Sequence, residues 1–226
     1  MSSAEPRTFE MAKDTILSMR NDATTEERMQ YYDQWAQTYE QDLSLVEYCA
    51  HSQAAAKVSA HYSGDRQAAK VLDVACGTGM VAKMMKKEGF QQFVGVDGSE
   101  GMLHHARQSG LYQELKKTLI GDRPLPVKSD EYDVVVITGT LSASHLPPKV
   151  IRELCRAAKP GGFVCMTAKG DRENLDYKMD LECEMKKMVD EGQWRRYDVT
   201  DVTLWQRDLI DDQEYMAGCV YLFQKL

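Results

Sequence analysis

The sequence lacks the features that would place it in a membrane or outside the cell. Its longest apolar runs, such as 133–137 and 163–166, are far shorter than the roughly 20 residues that cross a bilayer. Residues 1–6 read MSSAEP and lack the apolar stretch of a signal peptide. We therefore expect a soluble, cytoplasmic protein without a membrane partner.

The cysteine spacing of a metal or disulfide site is also missing. The six cysteines are scattered and none forms a C-x-x-C pair, so we expect neither a metal site nor disulfides. Cys76 stands out by its position, because a thiol beside the start of a helix can be acidified. No partner base is identifiable for it, and we interpret Cys76 as a small turn residue rather than a nucleophile.

An excess of positive charge is absent as well. The chain has 28 lysines and arginines against 35 aspartates and glutamates, which gives a formal net charge of -7. Proteins that bind nucleic acids usually present a basic face, so we expect no nucleic-acid partner. The 226 residues contain no repeat and suit one domain. We expect a helical cap over 1–68 and a core over 69–226.

Helical patterns fill the first sixty residues. A helix is predicted over about 8–20, a second begins after Thr24, and a third covers roughly 42–61. In the second helix four residues recur at i, i+3, i+4 and i+7 and share one face: Tyr32, Trp35, Ala36 and Tyr39. This face is either packed on the core or part of a lid over a ligand.

From residue 70 the pattern alternates between strand and helix. Strands are predicted at 70–75, 92–96, 117–120, 132–138 and 162–168, and helices near 79–88, 99–108 and 147–158. This alternation predicts an α/β fold with a doubly wound parallel sheet. Ligands of such sheets bind outside the carboxyl ends of the strands, so the residues that follow each strand are the first candidates for a site.

A glycine turn follows the first predicted strand. Gly77 and Gly79 allow a sharp bend and a close approach of the backbone to a ligand, and the next helix begins with free N–H groups. Asp97 ends the second strand, and its two oxygens suit the vicinal hydroxyls of a ribose. Residues 77–82 also fit G-x-G-x-x-A, so the turn by itself does not distinguish NAD from other adenine nucleosides.

The segment VLDVACGTG over 71–79 closely resembles the glycine-rich motif of class I S-adenosylmethionine-dependent methyltransferases. Segments 95–103, 121–122 and 158–162 resemble the same family. The resemblance implies a Rossmann-like sheet of seven strands, mostly parallel, with helices on both faces and an antiparallel last strand. It also implies S-adenosylmethionine as cofactor and S-adenosylhomocysteine as product.

Residue roles are implied by the same resemblance. The glycine turn lies against the amino acid part of the cofactor, Asp97 takes the ribose, Met102 flanks adenine and Asp122 meets its amino group. Asp73 suits a cofactor that carries an ammonium group and no pyrophosphate. The cofactor site expected in full comprises Tyr31, Trp35, Tyr39, Asp73, Ala75, Cys76, Gly77, Thr78, Gly79, Asp97, Gly98, Ser99, Met102, Gly121, Asp122, Arg123 and Thr138.

Three of those residues come from a second resemblance. Segment 31–42 is similar to the Y-D-x-W-A-x-x-Y-D-x-D preface of small-molecule methyltransferases, especially the methyltransferase-like proteins named after the Williams–Beuren chromosomal region. In related enzymes an aromatic residue of this preface covers the cofactor, which brings Tyr31, Trp35 and Tyr39 into the site. This chain has Glu40 where the pattern has aspartate.

The implied reaction moves a methyl group to a nitrogen, oxygen, carbon or sulfur atom of a small-molecule acceptor. Alignment of the acceptor supplies much of the rate, and a protonated amine or a hydroxyl also needs a base. His145 follows the fourth strand and is the candidate base, although a loop histidine that packs the next helix is an alternative. Two other functions stay open, an NAD-dependent oxidoreductase and a non-catalytic cofactor-binding scaffold.

Overall fold

The computed structural model describes residues 6–20, 22–121, 123–170, 174–211 and 213–226. The chain begins with the helices α1 (Phe9–Leu17), α2 (Thr25–Trp35), α3 (Tyr39–Leu45) and α4 (Ala50–His61). Strands and helices then alternate as β1 (Lys70–Val74), α5 (Met80–Lys87), β2 (Gln92–Asp97), α6 (Glu100–Gln108), β3 (Tyr112–Lys117), β4 (Tyr132–Leu141), α7 (Ile151–Ala157), β5 (Ala158–Lys169), α8 (Leu175–Asp190), β6 (Trp194–Arg207) and β7 (Tyr215–Lys225). Among the described residues, no helix is both long enough and apolar enough to cross a membrane.

The strands form one seven-stranded sheet in the order β3-β2-β1-β4-β5-β7-β6. β1 to β5 pair in parallel, and β7 runs antiparallel to both of its neighbours. This confirms the predicted α/β class, the seven strands and the antiparallel last strand. From β1 the strand order runs outward through β2 to β3 on one side, and β4 then starts the other side of the sheet. Ligands of such sheets bind at this switch point between β1 and β4.

Both faces of the sheet are covered by helices. Val71 of β1 packs into a cluster with α4 and α5, whereas the next residue, Leu72, packs into a cluster with α7 and α8. Successive side chains of a strand point to opposite faces, so the inner strands are apolar at nearly every position. These continuous apolar runs are what made the inner strands predictable.

The N-terminal helices differ in two respects from the prediction, and the name helical cap is kept from here on for α1 to α3. The second helix was expected to include Tyr39, but α2 ends at Trp35 and Tyr39 begins α3. Thr24 and Glu27 form the expected capping box at the start of α2. The single helix predicted over 42–61 was wrong, because the chain is interrupted between α3 and α4, where Glu47 has a positive φ of 55°. As a result α4 packs against the sheet, whereas α3 packs against α1 in the cap.

The position of β3 also differs from the prediction. A strand was expected at 117–120, but the structure has it at Tyr112–Lys117. β3 lies at the edge of the sheet and most of its side chains are exposed or half-buried, so it lacks the apolar run that marks an inner strand. The prediction was drawn toward the apolar pair at 119–120 instead.

Candidate functional site

The turn between β1 and α5 is shaped by three residues with positive φ. The φ angles are 55° at Ala75, 53° at Gly77 and 92° at Gly79, and residues other than glycine rarely adopt such positive values. A Cβ at Gly77 would meet no atom within 4 Å, so the space above this residue is open to a ligand. Cys76 and Thr78, between them, are buried. The turn therefore presents backbone rather than side chains.

Asp97 joins this turn to the one after β2. Its Oδ2 accepts a hydrogen bond from the Gly77 amide at 2.8 Å, and its Oδ1 accepts one from the Ser99 amide at 2.8 Å. Burial raises the pKa of Asp97, and the amides of Ser99, Gly77 and Gly98 oppose that rise. A carboxylate has about four acceptor positions, so Asp97 keeps capacity to accept a hydrogen bond from a ribose hydroxyl.

Asp73 lies beneath the turn at the end of β1. It is 1% exposed and its Oδ2 accepts a hydrogen bond from the Tyr112 hydroxyl at 2.7 Å. Burial raises the pKa of Asp73 to about 7, the Tyr112 hydrogen bond opposes that rise, and the charge of Asp97 adds to it. Burial also raises the pKa of the neighbouring Cys76 thiol well above its usual value, which makes Cys76 a poor nucleophile.

The start of α6 lies directly under α2. Ser99 caps α6 through the Met102 amide at 3.1 Å and donates to Asp33 of α2 at 2.5 Å. A Cβ at Gly98 would lie 2.5 Å from the Met29 sulfur, and a Cβ at Gly101 would lie 2.7 Å from the Asp33 backbone oxygen, so α2 lies directly against this turn. Met102 is 2% exposed. Gly98, Ser99 and Met102 are thus brought to the same place as Asp97.

The third predicted segment of the site is only partly described. Asp122, expected to meet the adenine amino group, lies outside the described residues. Gly121 has a positive φ of 100° and packs toward Pro147, while Arg123 is exposed. Gly121 and Arg123 line a cavity of about 280 Å³ together with Lys149.

The cap aromatics divide into two groups. Tyr31 donates its hydroxyl hydrogen bond to the Thr15 carbonyl at 2.7 Å, and the Trp35 indole N–H donates to Asp42 at 2.8 Å. These bonds tie Tyr31 and Trp35 to α1 and α3, and Trp35 is 7% exposed. The structure therefore places both side chains in the interior of the cap.

Tyr32 and Tyr39 are placed on the side of Asp97. Burial raises the pKa of both phenols, and the negative charge of Asp97 contributes in each case. Tyr39 also packs edge-on against Trp35 with ring centroids 4.6 Å apart. Tyr39 and Tyr32 are thus near enough to Asp97 for its charge to affect both phenols, although the sequence pattern gives Tyr32 no role beyond the aromatic face.

Asp42 organises the cap, although no site role was predicted for it. Its side chain is fully buried and accepts from Arg7 Nε at 2.8 Å, from Trp35 Nε1 at 2.8 Å and from Thr38 Oγ1 at 3.0 Å. Asp42 is the last aspartate of the preface pattern, and this match is the feature of the sequence that could have drawn attention to it. Glu40, the departure from that pattern, instead pairs with Lys83 of α5.

The carboxyl end of β4 is covered by the segment after α3. Gly139 follows Thr138, which is half-buried, and has a positive φ of 75°. A Cβ at Gly139 would lie 2.8 Å from the Tyr48 hydroxyl oxygen. Tyr48 in turn packs edge-on against Trp205 of β6, with ring centroids 6.0 Å apart. No role was predicted for Tyr48, because it lies between two helices without a periodic partner, but the structure brings it to the carboxyl end of β4.

His145 lies in the loop after β4 and contacts α2. Its Nε2 is 2.8 Å from the Tyr32 hydroxyl, and its Nδ1 is 2.8 Å from Ser142 Oγ and 3.0 Å from Ser144 Oγ. Burial lowers the pKa of His145 to about 4, with contributions from the charges of Arg28 and Lys169. The imidazole is therefore neutral at pH 7, and one ring nitrogen is an acceptor.

The geometry suits a cationic nucleoside better than a dinucleotide. Asp73 and Asp97 lie at the carboxyl ends of the neighbouring strands β1 and β2, and the charge of Asp97 contributes to the raised pKa of Asp73. Two carboxylates would repel a pyrophosphate but attract an ammonium or sulfonium group. The open space above Gly77 leaves room for a ligand to reach the turn. The residues thus fit S-adenosylmethionine.

Comparisons with known proteins agree with this fit. The family described as "Methyltransferase domain" matches residues 72–166. The human protein "Methyltransferase-like protein 27" is 40% identical over 168 residues, which cover 74% of this chain and 68% of that protein. "Ubiquinone biosynthesis O-methyltransferase" of Bordetella bronchiseptica is 34% identical over 108 residues, covering 45% and 43%. The crystal structure of an S-adenosylmethionine-dependent methyltransferase from Thermotoga maritima has 18% identity and a TM-score of 0.58, with 86% of this chain and 98% of that chain covered, and shows a shared fold.

Proposed function

Because the chain belongs to the class I S-adenosylmethionine-dependent methyltransferases, we propose that it methylates a small molecule bound under the helical cap at the carboxyl end of β4. S-adenosylmethionine supplies an activated methyl group on a positively charged sulfur. The residues that would hold it are the turn at Gly77 and Gly79, with Asp97 at the ribose and Asp73 toward the ammonium group. The enzyme's own task is then to bind and align the acceptor.

The main support for a small acceptor is that cap residues cover the carboxyl end of β4. The Tyr48 hydroxyl lies against Gly139, and Tyr32 reaches over the β4 loop to His145. Both tyrosines are half-buried, and burial raises the pKa of each phenol. An acceptor must therefore enter beneath side chains of the cap, which suits a small molecule rather than a polymer.

Two further observations support the same class of acceptor. The net charge of -7 disfavours a nucleic-acid substrate. The Bordetella relative is named for O-methylation in ubiquinone biosynthesis, a reaction on a small molecule, although it is aligned with less than half of this chain. The acceptor that we propose is therefore a small molecule that offers a nitrogen, oxygen, sulfur or activated carbon atom.

We assign the proton transfer to Tyr32 and His145. An amine or hydroxyl acceptor gains the methyl group and must lose a proton when its new bond forms. That proton passes to the Tyr32 oxygen while the Tyr32 hydroxyl proton passes to His145 Nε2, 2.8 Å away. The imidazole is neutral at pH 7 and accepts this proton, while its Nδ1–H is held by Ser142 and Ser144. Because burial lowers the pKa of His145 to about 4, the ring then passes the proton on to water.

The acceptor class can be tested with methyl-labelled S-adenosylmethionine. The purified protein is incubated with a cell extract separated into dialysable molecules, RNA and protein. We expect a new labelled product, chromatographically distinct from S-adenosylmethionine itself, only among the dialysable molecules, and much less of it when the Asp97→Ala variant replaces the enzyme at a subsaturating cofactor concentration. Label in RNA or protein, or in no fraction at all, would contradict the proposed acceptor class.

Loss of the Tyr32 hydroxyl or of the His145 imidazole should slow the reaction without loss of the cofactor. For Tyr32→Phe and His145→Gln we expect kcat to fall about 100-fold, the lower end of what a positioned proton acceptor contributes. The Kd of S-adenosylhomocysteine should stay within about threefold. Tyr62→Phe is the matched control, because its ring packs against Phe90 before the amino end of β2. An unchanged kcat in both variants would remove the pair from the mechanism.

A further inference from the structure

One side chain crosses the sheet to reach the candidate site from a strand two positions away. Tyr112 is the first residue of β3, and Asp73 lies on β1, with β2 between them. The Tyr112 hydroxyl nevertheless donates to Asp73 Oδ2 at 2.7 Å. The phenol ring must therefore lie across the face of β2.

A glycine in β2 makes this crossing possible. Gly95 pairs with Asp73 on one side and with Leu115 of β3 on the other. A Cβ at Gly95 would lie 2.9 Å from the Tyr112 ring and 2.6 Å from the Leu115 side chain. Contacts this short do not occur for a real Cβ, so any other residue at position 95 would displace the ring or the strand.

Tyr112 also lies against the glycine turn. A Cβ at Gly79 would lie 3.1 Å from the Tyr112 ring. The Cβ considered above at Gly95 would also lie 2.9 Å from the Cys76 sulfur, so Cys76 is close to the same ring. The ring thus fills the space under the residues that contact the amino acid end of the cofactor in the proposed function. One side chain touches the turn and the carboxylate beneath it.

We propose that Tyr112 is a positioning residue of the cofactor site, which holds the Asp73 carboxylate ionised and oriented for the ammonium group of S-adenosylmethionine. The inference rests on the role that the proposed function gives to Asp73. Tyr112 itself need not touch the cofactor, since it acts through Asp73 and through the turn above it.

The physical reason is the cost of a buried charge. A carboxylate that is almost fully buried favours its protonated form unless donors compensate for the lost water. The pKa of Asp73 is about 7 with the Tyr112 hydrogen bond in place, so the group is only half ionised near neutral pH. Burial raises the pKa of Tyr112 well above its usual value, so the phenol remains a donor throughout that range.

This arrangement predicts a pH-dependent affinity for the cofactor. An ammonium group favours the ionised Asp73, so affinity should rise as pH increases through about 7. The amino group of the ligand loses its own proton above about pH 8, which gives the profile a separate alkaline limb. Burial also raises the pKa of Asp97, the other carboxylate of the site, so the acid limb with its midpoint at about 7 is assigned to Asp73 by its loss in Asp73→Asn. The alkaline limb serves as an internal reference.

The test is calorimetry of S-adenosylhomocysteine binding from acidic to alkaline pH, with the full chain and the Tyr112→Phe variant. Loss of one hydrogen bond to a charged group should move the acid midpoint upward by about one pH unit. At pH 7 that shift makes the apparent Kd about fivefold weaker, because fewer molecules carry the ionised carboxylate. The alkaline limb should stay in place. An acid midpoint equal to that of the unaltered protein would overturn the inference.

Three further proteins make the result specific. Tyr132→Phe removes a hydroxyl from a buried tyrosine at the other end of the sheet and should leave the midpoint unchanged. Tyr112→3-fluorotyrosine keeps the ring and donates more strongly, so it should move the midpoint downward even if Tyr112→Phe folds poorly. Asp73→Asn should weaken binding and abolish the acid limb. An acid limb retained in Asp73→Asn would overturn the role of Asp73 and this inference together. An abolished limb, with the Tyr112→Phe midpoint unmoved, would overturn the inference alone.

Discussion

Asp42→Ala is expected to lower the free energy of unfolding by about 3 kcal/mol, the lower end of the cost of breaking a buried ion pair. Asp42 is fully buried and accepts hydrogen bonds from Arg7, Trp35 and Thr38. Its removal leaves the guanidinium and the indole N–H without their acceptor. The Arg7 side chain is 22% exposed, so water recovers part of the loss. Urea unfolding of the purified protein measures the change.

The control for this prediction is a carboxylate on the surface of the same region. Asp22 pairs with Arg20 at 2.8 Å, but both side chains are largely exposed, and pairs of this kind contribute little. Asp22→Ala should therefore leave the urea midpoint unchanged. Asp42→Asn should fall between the two, because an amide oxygen still accepts from Trp35 but no longer carries the charge that Arg7 needs. Equal midpoints for Asp42→Ala and the unaltered protein would show that the cap does not depend on this network.

The inner strands were predictable from sequence because each of them buries the side chains on both of its faces. β1, β4 and β5 are apolar at nearly every inner position, and such runs bounded by turn residues are typical of a parallel sheet. The capping box at Thr24 was predictable for a different reason, since its two partners are three residues apart. In both cases the physical cause lies within a short stretch of chain.

The remaining features depend on contacts between distant residues. β3 was misplaced because an edge strand needs no apolar run. Periodicity predicted that Tyr32, Trp35 and Tyr39 share one helix face, but α2 ends at Trp35 and Tyr39 begins α3. In addition, α2 is buried against α1 and α3 as well as against α6 and the β4 loop. A helix covered on several sides can direct neighbouring aromatics to different partners. No local pattern indicates which of them faces Asp97.

The same limit applies to the polar contacts of the candidate site. Arg7 and Asp42 are 35 residues apart, and Tyr112 and Asp73 are 39 apart. The sequence identified Asp73 and Asp97 from their positions after two strands, because the sheet topology alone brings those positions together. It gave no reason to connect Tyr112 with Asp73, since that contact needs Gly95 to be without a side chain.

Asp97→Ala is expected to weaken the binding of S-adenosylhomocysteine about 100-fold, which corresponds to about 2.7 kcal/mol. Two effects add to give this value. The ribose hydroxyls lose a charged acceptor, worth roughly 1.5–3 kcal/mol, and the amides of Gly77 and Ser99 lose the group that fixes both turns. Calorimetry at a pH where Asp73 is ionised measures the change.

The matched control for Asp97 lies at the opposite end of the same sheet. Asp133 also accepts a backbone hydrogen bond, from the Lys70 amide at 2.9 Å, and it pairs with Lys159. Asp133→Ala should therefore disturb two strands to a similar degree and leave the cofactor Kd unchanged. Asp97→Asn separates the two effects further, because its amide nitrogen would face one of the two backbone N–H groups and could not accept from it. If Asp97→Ala and Asp133→Ala bound the product equally well, Asp97 would hold the two turns together without touching the ribose.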